Sequence, residues 1–494
     1  MKRYCSLIIS GVGVLLFILG LVLIFAVIPP IIDDKIEEEI ILKNGTEQFE
    51  RFLTVPQPLH YKIYFFHIKN PDEVHAGAKP IVEEKGPYVY SMRNEKKDVR
   101  IHSDDEEIEF RVKLNIQFDS VASAPLTEND EIEVLYVPMN AAFMVAEELG
   151  QGGVMSSAYN KVFNNPKTMF IKTTVKEYLF EGVKFCVDRS AIPSIVCSLV
   201  EKQGSQTIRK STTDRGLLFS FFNHKNTSDD GLWNIYSGKK DILDVGQLTS
   251  WNNETYMKLW KDGNSTCNKV QGTDSTMYRP YRHGKEPDDF MWVFNSDICR
   301  AVSVHYKEKR EFNGIETFRY EANDAFMVKP EKCYCLGKTT GITDPDTGCL
   351  YGGALELYTC QKAPVVLTHP HFMNADQIYK DTVDGLRNDT SSEEHGTFIE
   401  VEPHTGTPIK GSKRVQFNMF IRPIKNLKFT ENLTTALVPI MWVDEGIILN
   451  DENLDLLNES LFDKLLIADA VTWTLVGVGA VIGVAGIIWW FCKK

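Results

Sequence analysis

Two short stretches of this 494-residue chain resemble loops that bind phosphate or calcium. Leu336–Thr340, LGKTT, is similar to the end of a phosphate-binding loop, but the first glycine of such a loop would fall on Lys332. Asp344–Gly348, DPDTG, begins like a calcium loop, yet its glycine comes one position early and Cys349 follows it. Neither stretch therefore predicts a nucleotide or calcium site, and we expect turns at both.

Histidine and serine patterns do not predict a catalytic centre either. His369 and His371 are separated by Pro370, so they cannot form the metal-binding pair of a helix, and the chain has neither an HExxH nor a GxSxG motif. We therefore expect no catalytic residue, no metal and no cofactor, and we predict that the protein is not an enzyme.

The ten cysteines divide into two groups by their position. Cys5 and Cys492 lie at the two ends, beside long apolar runs. The other cysteines lie between these runs, and they are Cys186, Cys197, Cys267, Cys299, Cys333, Cys335, Cys349 and Cys360. Their even number predicts up to four disulfides in an oxidising compartment, with roughly a hundred pairings left open. A zinc site at Cys333 and Cys335 is disfavoured, because the paired C-x2-C spacing is missing.

Two uncharged runs are long enough to cross a bilayer. Leu7–Ile28 contains 22 residues, which as a helix would span about 33 Å, and Val471–Cys492 is the second run. A cleaved signal peptide would have a shorter apolar core and a cleavage site with small residues, whereas the first run ends at Pro29 and Pro30. We therefore predict a retained membrane anchor at each end.

The charges beside these runs predict their direction in the membrane. Lys2 and Arg3 precede the first run, and Lys493 and Lys494 follow the second. Positively charged flanks stay in the cytosol, so both chain ends are expected there, with the body outside the cell at the plasma membrane. The predicted organisation is 1–6 cytosolic, 7–28 transmembrane, 29–470 extracellular with an apical helical cap at 139–180, 471–492 transmembrane and 493–494 cytosolic.

The predicted extracellular body is acidic and carries sequons for N-linked glycans. The four basic flanking residues contribute +4 to the formal net charge of −13, so the body carries −17. Such a charge disfavours nucleic acid as a partner and broad adhesion to anionic lipid. The N-x-S/T sequons all lie between the two apolar runs, and they are Asn44, Asn226, Asn253, Asn264, Asn388, Asn432 and Asn458.

Most of the body has the pattern of β-strands. Alternating or β-branched runs bounded by turn residues predict strands from Tyr61–Ile68 to Ala436–Val443. The stretch 139–180 differs, because helices are predicted at Met139–Leu149, Val154–Phe163 and Lys172–Phe180. Neither a repeat nor a long linker divides the chain, so we predict one α+β body with a large antiparallel sheet.

The predicted cap is rich in methionine, phenylalanine and lysine. Its candidate ligand-entry residues are Met139, Phe143, Met144, Met155, Lys161, Phe163, Lys167, Met169 and Phe170. Methionine and phenylalanine form adaptable surfaces for apolar ligands, but they also fill ordinary hydrophobic cores. The lysines could attract a carboxylate head group or could simply face solvent. The sequence leaves both interpretations open for each side chain.

The second apolar run contains a GxxxG pattern formed by Gly479 and Gly483. Small residues at this spacing allow two helices to approach closely. The pattern therefore predicts packing against the first apolar run or against another copy of the chain, which leaves a homo-oligomer open.

Short motifs along the body resemble the class B scavenger receptor family. They are NPDEV at Asn70–Val74, GAKP at Gly77–Pro80, GPYV at Gly86–Val89, CNKVQGTDST at Cys267–Thr276, DICR at Asp297–Arg300, CYC at Cys333–Cys335, PHF at Pro370–Phe372, VDGL at Val383–Leu386, EPHTG at Glu402–Gly406 and KRVQFN at Lys413–Asn418. Their order and the two-anchor layout resemble this family over nearly the whole chain. The opening motifs and CNKVQGTDST look most similar to the insect sensory neuron membrane proteins.

This resemblance implies a fold and a set of covalent modifications. It implies a β-barrel-like ectodomain, an apical helical bundle and an internal hydrophobic tunnel toward the bilayer, with Lys167 at the position of a basic residue involved in ligand entry. The implied disulfides are Cys267–Cys333, Cys299–Cys360 and Cys335–Cys349, with Cys186–Cys197 as an additional local pair. Cys5 and Cys492 become palmitoylation candidates, the alternative being unmodified thiols.

The resemblance also implies a function in capturing lipids at the cell surface. Such a receptor binds hydrophobic ligands, such as pheromone-like lipids and fatty-acid derivatives, and passes them through the tunnel to the membrane or to a neighbouring odorant receptor. A soluble odorant carrier is an implied further partner. A general scavenger-type receptor for lipids or lipoproteins is the alternative within the family.

Two other classes of membrane protein share the two-span layout. An ecto-nucleotidase needs Asp-x-Gly loops that continue with serine or threonine, whereas the loops at Asp229 and Asp346 continue with Leu232 and Cys349. A trimeric ligand-gated channel needs a polar stripe in its second span, which this chain lacks. Both classes are therefore disfavoured.

Overall fold

The computed structural model describes residues 2–102, 104–226, 229–282, 285–322 and 332–492. The predicted cytosolic end at 493–494 lies outside these residues. The same holds for Thr227 and Ser228, which complete the sequon of Asn226.

The helices in the described part of the chain are numbered here in chain order. They are α1 Lys2–Val22, α2 Ile28–Ile40, α3 Glu47–Leu53, α4 Pro71–His75, α5 Ser120–Ser123, α6 Val137–Glu148, α7 Gly152–Val162, α8 Ala191–Gln203, α9 Tyr358–Gln361, α10 Gln377–Lys380, α11 Ser392–His395, α12 Asp451–Leu457 and α13 Asp463–Cys492. Single π-helical turns occur at Leu23–Val27, Glu177–Glu181 and Asn458–Phe462. Short 3-10 turns occur at Ile242–Asp244, Thr266–Asn268, Lys332–Tyr334, Pro370–Phe372 and Lys428–Thr430.

The strands of the described residues are numbered in the same way. They are β1 Leu59–Ile68, β2 Val82–Ile101, β3 Glu107–Phe118, β4 Glu131–Leu135, β5 Phe170–Thr174, β6 Val183–Phe185, β7 Ile208–Lys210, β8 Leu217–Phe219, β9 Asp229–Tyr236, β10 Leu248–Trp251, β11 Phe290–Asn295, β12 Arg300–Phe312, β13 Ile315–Ala322, β14 Leu355–Glu356, β15 Val366–Thr368, β16 Phe398–Val401, β17 Pro408–Ile421 and β18 Ala436–Ile448.

One large antiparallel sheet forms the centre of the body. Its strand order is β10-β9-β3-β2-β1-β18-β17-β16-β13-β12-β11, and the pair β14–β15 attaches to β17. Smaller sheets are formed by β4 with β5 and by β6, β8 and β7. The predicted α+β class with a large antiparallel sheet is therefore confirmed.

A short segment brings the two edges of the large sheet together. The amide of Leu248 on β10 donates to the carbonyl of Gly272 at 2.8 Å, and the amide of Phe294 on β11 donates to Thr273 at 3.0 Å. Gly272 has a φ of +94°, and a Cβ there would lie 2.3 Å from the backbone of Trp292, so only glycine fits. The sheet is thus nearly closed into a barrel.

The cap differs from its predicted helices at one place. Helices α6 and α7 confirm the first two predictions. The predicted helix Lys172–Phe180 is wrong in its first part, because Phe170–Thr174 forms strand β5 and pairs with β4, whereas residues 175–180 are helical. The β-branched residues Ile171, Thr173 and Thr174 favour this extended conformation, and a single π-helical turn follows.

Helix α8 adds a third helix to the cap beyond its predicted end at residue 180. It packs beside α7 and ends at Gly204, whose φ of +66° is the left-handed conformation of a helix C-cap. The disulfide Cys186–Cys197 joins it to the segment before it. The remaining disulfides of the body are Cys267–Cys333, Cys299–Cys360 and Cys335–Cys349.

Two long apolar helices stand at the ends of the chain. Tyr4–Ile40 and Asp451–Cys492 are each long and apolar enough to cross a membrane. They pack against each other, because a Cβ at Gly13 would lie 2.2 Å from the amide nitrogen of Gly483, and one at Gly479 would lie 2.4 Å from that of Phe17. The GxxxG pattern therefore faces the first helix of the same chain.

Candidate ligand conduit

The cap is fixed to the end of the barrel that is remote from the two terminal helices. The amide side chain of Asn140 on α6 donates to the carbonyl of Phe420 at 2.9 Å. Glu147, at the other end of α6, accepts a hydrogen bond from Arg422, which also donates to the hydroxyl of Thr340 at 2.7 Å. Helix α6 thus has a polar attachment to the end of β17 at both of its ends.

The three cap helices enclose an apolar cavity of about 70 Å³. Its wall is built from one face of each helix, including Val137, Ala141, Ala142, Val145, Val154, Met155, Val196, Leu199 and Val200. Polar side chains such as Gln151, Gln203 and Thr207 also line the cavity, but most of its wall is apolar, so it suits apolar groups.

The predicted ligand-entry residues occupy different places in the cap. Met155 lines the cap cavity. The other apolar candidates are buried in the hydrophobic core between the cap and the sheet, and they are Met139, Phe143, Met144, Phe163, Met169 and Phe170. Lys161 faces Asp188 at 3.9 Å, and Lys167 is exposed. Core packing therefore accounts for most of the apolar candidates, and ligand entry stays a prediction.

A second cavity, of about 300 Å³, lies inside the barrel and is called the barrel cavity here. It adjoins the cap cavity, because Thr207 and Ala363 line both. Along β17 its lining extends from Phe417 to Pro408, which corresponds to about 30 Å of extended chain. At that far end it is lined by Val55 and Ile447, close to the strand ends that lead to the terminal helices.

The wall of the barrel cavity is largely apolar because strands turn alternate residues inward. Val415 and Val443 face each other across β17 and β18, and Val302 and Val304 come from β12. Each of these side chains lines the cavity. The inner face of the sheet thus provides an apolar surface along the length of the barrel.

A third cavity, of about 420 Å³, lies on the other side of the barrel interior and is called the polar cavity. Its wall comes from β2, β3, β9 and β11 and includes Lys96, Asp230, Asp274, Trp233 and Trp251. It shares Tyr61 and Asn94 with the barrel cavity. The barrel interior is therefore divided into an apolar and a polar side.

A row of charged side chains marks the border between these two cavities and is called the charged row. Lys413 on β17 stands directly opposite Glu445 on β18, and Glu445 stands opposite Tyr61 on β1. The ammonium group of Lys413 contacts the carboxylate of Glu445. Lys225 pairs with Asp297 at 2.6 Å beside them. All of these residues line both cavities.

The pKa values of this region follow from burial and pairing. Burial would raise the pKa of Asp297, but Lys225 and Lys413 outweigh it and lower the pKa to about 2. Burial would likewise lower the pKa of Lys413, whereas Glu445 and Asp297 raise it. Lys413 keeps 33% of its side-chain surface accessible and Glu445 26%, and both residues line the two cavities. Pairing therefore favours the charged forms of Asp297 and Lys413 despite their burial.

Two further titratable groups of the polar cavity are shifted toward their neutral forms. Burial, helped by Lys225, lowers the pKa of His224 to about 4. Burial raises the pKa of Asp230, although Trp233 and Ser296 donate hydrogen bonds to it at 2.9 Å each. Within the described residues, no group of three His, Cys, Asp or Glu side chains is arranged to hold a metal ion.

The remaining candidate residues lie on the outside of the protein. The side chains of Asn44, Asn253, Asn264, Asn388 and Asn432 are exposed, and Asn458 is half-buried. The amide of Asn226 exchanges two hydrogen bonds with the backbone of Ile116, at 3.0 and 3.2 Å, which would compete with glycan attachment. Cys5 and Cys492 are exposed free thiols at the ends of the terminal helices.

Several residues of the conduit were missed in the sequence. Val196, Leu199 and Val200 have the spacing of one helix face, and Gly204 is a stop signal that could have identified α8. The charged row had no such signal, because its partners are separated by long stretches of chain. Whether Lys413 points inward is decided by the register of β17, since its neighbours are polar as well.

Comparison with known proteins gives a consistent result over the whole chain. Residues 11–490 match the CD36 family. The chain is 36% identical to sensory neuron membrane protein 2 of Anopheles gambiae, over 99% of this chain and 94% of that protein. It is 35% identical to the protein of the same name from Drosophila melanogaster, over 99% and 98%. It is 32% identical to sensory neuron membrane protein 1 of Apis mellifera, over 98% and 91%.

Proposed function

Because the chain belongs to the CD36 family, the class B scavenger receptors, we propose that it carries long-chain lipids from its cap to the membrane. Membership in this family makes it a membrane lipid-binding receptor of the scavenger type. The finer proposal is that a pheromone-like lipid or fatty-acid derivative enters through the cap cavity, travels along the barrel cavity and leaves beside the terminal helices.

The adjoining cap and barrel cavities are the observation that supports this proposal. They share Thr207 and Ala363, and the barrel cavity extends to Pro408 and Ile447 near the terminal helices. An alkyl chain gains about 0.8 kcal/mol per methylene on leaving water, so twelve methylenes correspond to roughly 10 kcal/mol. A path that stays apolar needs no other driving force, and we propose no covalent step.

The membrane setting of this function is also part of the proposal. We propose that the two terminal helices anchor the protein in the plasma membrane, with both chain ends in the cytosol and the barrel outside the cell. The relatives are named sensory neuron membrane proteins, and this supports a role in odour or pheromone detection. A soluble odorant carrier would then deliver the lipid, and the membrane or a neighbouring odorant receptor would accept it.

A matched pair of substitutions on α8 tests entry through the cap. Leu199→Trp would fill the cap cavity, whereas Ser198→Trp places the same side chain on the exposed face next to it. We expect Leu199→Trp to slow the transfer of pyrene-labelled hexadecyl acetate from cyclodextrin into proteoliposomes of the full chain by about tenfold. Ser198→Trp is expected to match the wild type, and equal transfer by both variants would contradict cap entry.

A substitution between the two cavities tests the path itself. Ala363→Phe narrows the place where the cap cavity meets the barrel cavity. It is expected to leave capture of the labelled ester intact while slowing its release into the bilayer. If the wild-type chain binds no long-chain aldehyde, ester or fatty acid, the proposed function is wrong.

A further inference from the structure

The polar cavity has no part in an apolar path, and its position indicates a different use. It adjoins the barrel cavity along the whole charged row, with Tyr61, Asn94 and Asp297 in the wall of both. An alkyl chain gains nothing beside charged groups, whereas a hydrogen-bonding head group is stabilised there. A molecule with both parts therefore fits across the border of the two cavities.

We propose that the charged row and the polar cavity behind it form a head-group site that stops an amphiphile midway along the barrel. Its alkyl chain lies in the barrel cavity and its uncharged, hydrogen-bonding head lies in the polar cavity. This inference rests on the proposed function, because it requires that long-chain ligands enter the barrel.

The charge balance of the polar cavity selects against an ionised head group. Among the described residues of its wall, the three lysines are already paired. Lys96 faces Asp274 at 3.0 Å, Lys225 faces Asp297 at 2.6 Å, and Lys413 contacts Glu445. A carboxylate head would enter this space without a cation to receive it, which costs free energy. Alcohols, esters and aldehydes are therefore favoured over the corresponding fatty acids.

Uncharged polar groups are available to receive such a head. The Oδ1 atom of Asn94 has no hydrogen-bond partner among the described residues, and Asn94 lines both cavities. Tyr61 stands beside Glu445 in the charged row, and burial together with Glu445 and Asp297 raises the pKa of its phenol far above the usual value. Its hydroxyl therefore stays a donor as well as an acceptor.

Competition binding to the full chain in nanodiscs tests the preference for an uncharged head. Tritiated hexadecanol is bound first, and hexadecanol, hexadecyl acetate or palmitate is added as competitor. We expect palmitate to compete at least about tenfold less well than hexadecanol, because its carboxylate would be buried without a partner.

A double substitution assigns this preference to the charged row. Lys413→Met with Glu445→Met replaces the ion pair by apolar groups of similar size and is expected to weaken hexadecanol binding about tenfold. Lys69→Met with Glu83→Met removes an exposed pair at 3.1 Å and is the matched control, with no change expected. Thermal unfolding of each variant verifies folding, and Lys225→Met with Asp297→Met provides a second test of the row.

Tryptophan quenching locates the head group within the barrel. Trp251 lines the polar cavity, and a bromine atom quenches indole fluorescence at short range. Hexadecanol with bromine beside the hydroxyl is expected to quench more strongly than hexadecanol with bromine at the chain end. Trp251→Phe is expected to reduce the difference.

The possible outcomes separate this inference from the proposed function. Absence of binding by hexadecanol, hexadecyl acetate and palmitate alike would overturn the conduit itself. Binding of all three with equal affinity would overturn the head-group site and leave the conduit in place. The head-group site would also be overturned if the preference for hexadecanol over palmitate survived in Lys413→Met with Glu445→Met and in Lys225→Met with Asp297→Met. Stronger quenching by hexadecanol brominated at the chain end would overturn it too.

Discussion

Two groups of buried charges lie on opposite faces of the same part of the sheet. On the outer face, Arg319 of β13 pairs with Glu400 and Glu321 at 2.9 Å each, contacts Glu393 at 2.9 Å and stacks on Phe398 at 3.8 Å. On the inner face, the charged row contains the pair Lys413–Glu445, two strands away.

The difference between the two groups lies in the surface that they leave free. Arg319 and Glu400 expose 0% and 4% of their side chains, so protein atoms surround them completely. Lys413 and Glu445 expose about a third and a quarter of their side-chain surface, and both line a cavity. A fully enclosed ion pair serves the fold, because removal of one partner leaves the other charge buried without a counter-ion or water. A pair beside a cavity is available to a ligand.

The largest effect is expected from Arg319→Met, which tests the structural role of the outer group. Among the described residues, the substitution leaves the buried carboxylate of Glu400 with one ion-pair partner, Arg310 at 3.7 Å. We expect a loss of about 3–5 kcal/mol in the free energy of unfolding, seen as a large drop in unfolding temperature. Ligand affinity of the molecules that remain folded should be unchanged.

Arg310→Met is the control for this prediction. Arg310 also pairs with Glu400 but keeps 36% of its side chain exposed. The substitution is expected to lower the free energy of unfolding by less than about 1 kcal/mol. A cost as large as that of Arg319→Met would contradict the distinction between enclosed and accessible pairs.

A smaller effect is expected from Glu445→Gln in the inner group. The amide still accepts a hydrogen bond from Lys413, whose free surface can be hydrated from the cavity, and Asp297 remains nearby. We expect a loss of about 1–2 kcal/mol in the free energy of unfolding, together with weaker hexadecanol binding. A cost equal to that of Arg319→Met, with unchanged binding, would make the two groups equivalent.

The smallest effect is expected from the pair of Glu402 and His404, whose imidazole and carboxylate lie 2.7 Å apart. Burial would lower the pKa of His404, but Glu402 raises it above the usual value. The stabilisation from this pair is therefore complete below about pH 6.5 and is lost as the pH rises through the raised pKa. We expect a slightly lower unfolding temperature at pH 8.5 than at pH 6.

His404→Gln measures how much of this pH dependence belongs to the pair. The variant should show a smaller difference between the two pH values than the wild type. The same difference in both proteins would assign the effect to other groups.

Much of the architecture could be predicted because local patterns carry it. The apolar, β-branched runs Phe398–Val401 and Ala436–Val443 predicted strands that the structure contains. The cap was harder to predict, since 172–180 has helix-compatible residues but pairs in its first part with β4. Tertiary pairing outweighed a weak local preference there. The candidate site was predicted only at Met155, because methionine and phenylalanine look alike in a core and in a cavity wall.

The sequence by itself determined the two apolar terminal runs, the cysteine-rich acidic body between them and the family to which the chain belongs. Each of these is a property of neighbouring residues or of motif order, so no contact between distant segments is needed to recognise it. Only the tertiary structure decided that Gly479 and Gly483 face the first helix, and that Lys413, Glu445 and Asp297 meet inside the barrel. The physical reason is strand register, because a shift by one residue would turn every inward side chain outward.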